Sequence, residues 1–384
     1  MPDHIDMYGG WEGWIYSSWD FPREVIERWD ALSLNYGDLS IFISYGWFRL
    51  WWKAFGKEST LFVVVLKSCG EIKAIFPCCI KPSPGNGSDF ISSLSNAHTC
   101  YFDFIIDPDM RRRALSHFLE ILHQRKPQAL MHFEYLSKSG DNVISFTSEL
   151  SCRRIPFHHY SQPWAPWLER TEDWAAFCNS LPGRLRNTLK RNRKKAEARG
   201  EFHFEIIERS GHLDKILDTV FDTEYRNWKG RAGTAIKCRE EVEKFYRQLA
   251  HWAMEQNHLL LFLLKLNGIP VASDFCLRLG HTVFLLKPGY DESFHHLSPG
   301  NLLRLEVFKY LYRHPELSVY NFLGACEPWK MEWTQNSHEY GYLVVYPKSL
   351  KGWSRYMLRY GWKDFLKKFH TLRQVKSWLD RRGN

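Results

Sequence analysis

The chain has 384 residues, is 44% hydrophobic and 16% aromatic, and carries a formal net charge of +9. That length is comfortable for two domains, and the lack of any low-complexity tract excludes a disordered chain. The longest wholly apolar runs, Leu61–Leu66 and Leu259–Leu264, fall far short of the ~18 residues a membrane-crossing helix needs, so no such helix is expected.

Nine cysteines are scattered, with one adjacent pair, Cys78-Cys79, and no C-x-x-C. An odd count without regular spacing reads as reduced, packing thiols of a cytosolic protein rather than a disulfide framework or a zinc site. The start, Met1-Pro-Asp-His-Ile-Asp6, shows no basic or apolar segment of a signal peptide. The positive charge is segregated. Arg184–Arg199 holds eight Lys/Arg against one Glu, and the stretch from Lys348 to the end holds eleven against two Asp, so the rest is net acidic. Such blocks suit anionic partners: phosphates, nucleic acid or a membrane surface.

In chain order, Pro22 opens a helix with Val25, Ile26, Trp29 and Leu32 as its apolar stripe. Ser44–Phe55 places aromatics at helical spacing, which is the pattern of a buried face. Strands are expected over Leu61–Lys67 and Glu71–Ile80, joined at Ser68-Cys-Gly70. Pro82–Ser88 reads as a loop, Phe102–Ile106 as a strand, Met110–Arg125 as a helix and Leu130–Tyr135 as a strand. Ser161–Leu168, with two prolines, reads as a crossover between halves, and Thr171 as the cap of the next helix.

The basic segment Leu181–Gly200 reads as a helix, with Pro182 near its start and Gly200 at its end. Its charges are either a solvated face or an anion-binding one. A strand over Phe202–Ile207 and helices over Leu213–Trp228 and Glu240–Gln256 follow. Then come strands at Leu259–Leu266, Val271–Arg278 and Thr282–Leu286, the first two turning at Asn267-Gly268. Ser298-Pro-Gly-Asn301 leads into a helix from Leu302 to Tyr312, and further strands are expected at Ser318–Leu323 and Tyr340–Tyr346. A helix entered through a Pro-Gly loop presents free N–H groups and a positive dipole end, a natural anion site. The tail reads as two basic helices with Trp353, Tyr356, Met357, Tyr360, Trp362, Phe365 and Phe369 among the charges.

Two acids draw notice. Asp274 sits in mid-strand in an apolar run, where a lone carboxylate is costly. Alternation places it on the face of Ala272, Cys276 and Arg278, so Arg278 is its expected ion partner, and catalysis or structural pairing both remain open. Glu327 follows a strand end near Lys330; a buried carboxylate there would have a raised pKa and could act as a base. The histidine pairs His158-His159 and His295-His296 lack a metal motif, and no Walker loop is present.

Gly289-Tyr-Asp291, Ser298-Pro-Gly300 and Gly324-Ala-Cys-Glu-Pro-Trp-Lys330, in that order, resemble the acyl-CoA-binding core of the GNAT superfamily, in its CelD-like and Fem-like branch. Trp329 stands where that branch usually has Tyr. The hairpin near Pro77 resembles the central one of a GNAT domain, without a Ser-Pro-Gly loop after it. The resemblance implies an α+β fold of two tandem GNAT-like domains, each a mixed, mostly antiparallel sheet flanked by helices. Residues 1–165 would form a degenerate domain with a structural or substrate-binding role, 166–347 the catalytic domain, and 348–384 a basic helical tail.

It further implies pantetheine along Phe284–Tyr290, through Phe284 and Leu286, and a pyrophosphate at Ser298, Gly300, Asn301 and Leu302. Trp228, Lys229, Trp329 and Lys330 would face the acceptor. Glu327 would be the general base with Asp274 its rival, and Tyr290 would meet the leaving thiolate. The implied activity is N-acyl transfer from acetyl-CoA or another acyl-CoA to an amine, without a metal, in polysaccharide or cell-envelope biosynthesis. A Fem-like transferase using aminoacyl-tRNA, with Arg184–Arg199 gripping the RNA, is the second reading, and a non-catalytic nucleic-acid or membrane-binding protein the third. A cytoplasmic protein is implied, peripheral to the inner face of the membrane if the tail contacts anionic lipid rather than docking on the fold.

Overall fold

The computed structural model describes residues 2–82, 90–171 and 173–362. The first half runs β1 (Asp3–Met7), β2 (Trp11–Tyr16), α1 (Arg23–Ser33), α2 (Tyr45–Phe55), β3 (Thr60–Ser68), β4 (Glu71–Lys81), β5 (Phe90–Ser93), β6 (Ile105–Ile106), α3 (Arg111–Arg125), β7 (Leu130–Ser137) and α4 (Asp141–Cys152). The second runs β8 (Phe157–Glu169), α5 (Trp174–Ser180), α6 (Gly183–Glu197), β9 (Phe202–Ile207), α7 (Leu213–Tyr225), α8 (Trp228–Arg231), α9 (Glu240–Glu255), β10 (Leu259–Leu266), β11 (Ile269–Leu279), β12 (Thr282–Tyr290), α10 (Pro299–Arg313), β13 (Val319–Asn321), α11 (Pro328–Met331), β14 (Ser337–Val345) and α12 (Leu350–Tyr356).

The strands join in one continuous sheet, ordered β1-β2-β3-β4-β5-β7-β14-β8-β13-β12-β11-β10-β9, with β6 beside β4. The pairs β5–β7 and β12–β13 are parallel, and the other ladders are antiparallel. Two hairpins set the register. Cys69-Gly70 and Asn267-Gly268 each hold both turn residues at positive φ, the geometry whose twist matches paired strands.

Two apolar clusters fill the two faces around β10–β12. One contains Phe275, Leu277 and Phe284 with α7 and α9, and is continuous with the core of the first half. The other contains Leu260, Phe262, Cys276 and Leu285 with α6 and α10. The halves interlock through aromatic edges: Phe42 meets Phe284 at 5.0 Å, and Trp47 of α2 meets Phe245 of α9 at 5.7 Å. At Gly46 a Cβ would come within 2.6 Å of the Trp252 ring, so only glycine lets α2 and α9 approach this closely.

Several sequence expectations need correction. Ser161–Leu168, read as a crossover between halves, lies within the strand β8. β14 pairs it on one side from Phe157 to Pro166, while β13 pairs its other edge only from Trp167, which leaves room for prolines on an open edge. β14 lies between β7 and β8, so the last strand of the segment read as the second domain completes the sheet of the first. Of Phe102–Ile106, only Ile105 and Ile106 pair, with β4. The β1–β2 hairpin, β5 and α4 were not anticipated. Thr171 does not cap α5; the Asp173 side chain accepts from the Ala176 N–H. Of the tail, α12 and a following π turn over Met357–Gly361 are described; Phe365 and Phe369 lie outside the described residues.

Candidate functional site

β12 is where the sheet opens. It pairs with β13 only through Thr282, Val283 and Phe284, and beyond Phe284 no strand continues along that edge among the described residues. On its other edge the register with β11 slips at Phe275/Cys276, so that Phe275 faces Lys287, Cys276 faces Leu285, and Leu286 is the extra residue. A bulge of this kind turns the chain and re-aims side chains. Here Leu286 packs with the first-half cluster, and the Lys287 ammonium lies over the Tyr246 ring of α9 at 5.3 Å, on the same side. Phe284 points into the same core, so only its backbone is available to a ligand.

Past β12, Asp291 turns the chain by accepting from the N–H and hydroxyl of Ser293. Ser298 then adopts φ 50°, ψ 56°, a left-handed conformation that costs a non-glycine residue ~1–2 kcal/mol, and Pro299 begins α10. The Ser298 hydroxyl accepts from buried Asn192 of the basic helix α6 at 3.0 Å. The N–H groups of Asn301 and Leu302 fold back onto the Ser298 carbonyl at 3.0 and 3.1 Å. Pro299 has no N–H, so Gly300 supplies the outward donor at this helix start. Tyr290 borders it: a Cβ on Gly300 would sit 3.7 Å from the Tyr290 ring. The expected pyrophosphate residues are therefore gathered in one place, with Tyr290 beside them.

Gly289 allows α7 to press against β12, since a Cβ there would lie 2.7 Å from the Glu224 Cα. Glu224 is buried, and its carboxylate accepts from the Ile236 N–H at 2.9 Å and the Lys229 ammonium at 3.2 Å. Lys229 also donates to the Pro288 carbonyl of β12 at 2.7 Å, while neighbouring Trp228 is about half exposed. On the far side of the opening, Leu323 and Gly324 hold φ of 50° and 61°. Asn321 fixes Leu323 by accepting its N–H at 2.9 Å, and buried Lys330 donates to the carbonyls of Leu323 at 2.8 Å and Ala325 at 3.1 Å. Burial pulls the Lys330 ammonium down, and Glu327 opposes it.

Glu327 is not the buried carboxylate anticipated. Its side chain is 48% exposed and is held by Lys330 at 3.1 Å and by the Trp329 indole N–H at 3.1 Å. The indole thus makes the hydrogen bond at a position where a tyrosine was the expectation. Arg278 is not the partner of Asp274. Four residues along a strand span about 13 Å, and Arg278 instead grips Glu208 at 3.0 and 3.2 Å. Asp274, fully buried, is held by both terminal nitrogens of Arg304 of α10, at 2.6 and 3.0 Å. Burial pulls the Arg304 guanidinium down, but the Asp274 carboxylate outweighs it and keeps it charged.

The first half closes the opposite wall. Trp164 of β8 bridges to Ala325 and lies 6.4 Å from Tyr135. Burial pushes the Cys100 thiol up to about 12, and the charges of Lys287 and Lys330 draw it back. His98, stacked on Phe55 at 5.5 Å, is held neutral, pulled down to about 3 by burial and by Lys287 and Arg239.

Lys229, Lys330, Trp329 and Glu327 thus gather on either side of the opening, with Tyr290 at its α10 end. Asp274 lies behind it, in the core. Glu224, Lys287, Asn192 and Arg304 were missed. Glu224 and Arg304 each carried a signal, a charge on the apolar stripe of a helix: Val220, Phe221, Glu224 and Leu303, Arg304, Val307. Among the described residues no group of three or more His, Cys, Asp or Glu side chains could hold a metal ion.

Residues 183–331 match the family model described as Acetyltransferase (GNAT) domain. No curated protein sequence matches the chain. Among solved structures, FemX superposes at a TM-score of 0.55 with 12% identity, covering 82% of this chain and 95% of that one. The C-terminal domain of a putative lysylphosphatidylglycerol synthetase from Agrobacterium fabrum superposes at 0.50 with 12% identity, covering 84% and 91%. A tandem GNAT protein from the clavulanic acid biosynthesis pathway superposes at 0.50 with 11% identity, covering 88% and 99%. Residues 183–331 are thus similar to GNAT acetyltransferase domains, and the chain as a whole has a Fem-like tandem GNAT fold.

Proposed function

We propose that the protein is an N-acyltransferase that passes an acyl group from acyl-coenzyme A to an amine acceptor. The observation that carries this reading is the parting of β12 from β13 directly beside the Ser298-Pro-Gly start of α10. An extended thioester donor can lie along the open β12 edge with its phosphates at the Gly300 N–H. The donor supplies an activated carbonyl; the chain supplies position and proton transfer. Beyond Phe284 the β12 backbone groups on the edge left by β13 have no strand partner among the described residues and can meet the donor there. Glu327, outside the core and anchored by Trp329 and Lys330, takes the proton of the attacking amine as the new C–N bond forms and the C–S bond breaks. Tyr290 gives its hydroxyl proton to the departing sulfur. Asp274, with both oxygens on Arg304, serves to position β11 against α10 rather than as the base.

Single-turnover and steady-state kinetics test the roles. Glu327→Gln should lower kcat by about 100-fold or more with donor affinity intact. If Asp274→Asn alone abolishes turnover in a folded protein while Glu327→Gln is near normal, the base assignment reverses.

A second reading is favoured by one feature. Seven Arg and Lys side chains from Arg184 to Arg199 are exposed on and just beyond α6, which also holds the α10 start through Asn192. Such a face could hold tRNA, making the donor an aminoacyl-tRNA. A salt-sensitive gel shift of tRNA by the full chain, lost on reversing Lys190 and Lys194, would move this reading ahead. The setting we favour is cell-envelope or polysaccharide assembly at an anionic membrane. Trp353, Met357, Leu358 and Trp362 are exposed next to Lys351, Arg355 and Arg359, a pattern that suits an acidic lipid surface. Co-sedimentation with anionic vesicles that persists after deletion of 348–384 would refute the tail as the contact.

A further inference from the structure

Three lysines approach the opening between β12 and β13, and two of them have a carboxylate of their own. Lys229 is paired with Glu224 at 3.2 Å and Lys330 with Glu327 at 3.1 Å. Lys287 has none. Among the described residues no hydrogen bond or ion pair reaches its ammonium, which rests over the Tyr246 ring. It is only partly exposed, and Glu224, an opposing charge that acts on it, is already occupied by Lys229 and the Ile236 N–H. A partly desolvated cation without a counter-charge is costly and is relieved by an anion brought against it.

The position of Lys287 says which ligand brings that anion. The bulge turns it to the face of α9 and of the first-half cluster, where it lies over the Tyr246 ring beside Leu286. The Gly300 site lies with α10, whose side chains fill the cluster on the other face of the sheet. Lys287 is also three residues, about 10 Å of strand, before Tyr290, which borders Gly300. A donor whose phosphates sit at α10 therefore leaves Lys287 to the other reactant.

We infer that Lys287 anchors an anionic group, a carboxylate or a phosphate, carried by the amine acceptor itself. This rests on the acyl-transfer reading above and narrows its acceptor to amino acids and phosphorylated amines or amino sugars.

Calorimetry on the full chain with coenzyme A present tests it with matched amines: glycine against glycinamide, and phosphoethanolamine against ethanolamine. The anionic member of at least one pair should bind about 10-fold to 100-fold tighter, the range of a charge-assisted hydrogen bond. The pair with the larger preference distinguishes carboxylate from phosphate. Lys287→Met keeps the apolar stem over Tyr246 and should erase the preference, and Lys287→Arg should retain it. No preference in the natural protein, or a preference that survives Lys287→Met, overturns the inference. The coenzyme A titration reports separately on the donor. If coenzyme A does not bind, the acyl-CoA reading fails, and the Lys287→Met comparison repeated without coenzyme still decides the anchor.

Discussion

Each half of the molecule buries an aspartate in its core, Asp103 and Asp274, and has a helical turn that opens on a proline, Pro108 and Pro299; the two halves satisfy them in opposite ways. Asp103, in the first half, is held by neutral groups: the Tyr101 hydroxyl at 2.8 Å, the Asn142 amide at 2.9 Å and the Phe104 N–H at 2.8 Å. Burial pushes its carboxyl up to about 6 against those bonds. Asp274, in the second half, is held by a full positive charge on Arg304. The helix starts differ likewise. In the single turn Pro108–Met110 that precedes α3, Asp107 accepts from the Asp109 N–H, so two acids sit at that proline turn. The first turn of α10 has no acid, and buried Asn192 holds the Ser298 hydroxyl just ahead of it. The difference is one of charge: the second half meets its buried aspartate with a cation and leaves the start of α10 free of acids, while the first half meets its aspartate with neutral groups and places acids at its proline turn.

The sharpest way to break this contrast is to remove the charge that holds Asp274. Arg304→Met should cost about 3–5 kcal/mol, because it strands a buried carboxylate, and urea denaturation would show it. In the first half Asp103→Asn should cost about 1 kcal/mol, since its partners are neutral and an amide can replace most of the bonds. Equal losses at the two sites would refute the contrast. Between these in size, Gly289→Ala should cost about 1–3 kcal/mol by forcing α7 from β12 and should also lower turnover, because Glu224 and Lys229 would move with it.

A smaller effect is a pair of opposed pH dependences. The Asp103 carboxyl rises from its ordinary 3.8 to about 6, so the native state binds more protons in that window and stability falls as pH rises through it. His98 drops from 6.5 to about 3, so the unfolded state binds more protons there and stability is lost as pH falls from 6.5. Asp103→Asn should therefore steepen the loss on acidification between 6 and 3.8, and His98→Gln should flatten it. Denaturation midpoints followed across that range check both signs.

Much of the second half was legible in the sequence because its signals are local. Asn267-Gly268 fixes a hairpin by its own backbone preference, and Ser298-Pro-Gly marks a helix start without reference to anything distant. The tandem arrangement came instead from the family resemblance that these motifs carry. What escaped was set by long-range pairing. Strict alternation would place Lys287 opposite Leu286, and only the bulge against β11 brings both to one face. Arg278 shares a face with Asp274, yet strand rise separates them, and the true partner comes from a helix 30 residues on. β14 reads as the end of one unit, and only its ladders with β7 and β8 place it in the other half's sheet.

The proposed donor site, with phosphates at the start of α10, stands or falls at Gly300. Gly300→Ala fits, since its Cβ would meet nothing nearer than the Tyr290 ring at 3.7 Å, whereas Gly300→Glu puts bulk and negative charge on the site. In calorimetric titrations with coenzyme A, the account predicts near-natural affinity for Gly300→Ala and no detectable binding for a folded Gly300→Glu. Unchanged affinity in Gly300→Glu would contradict it.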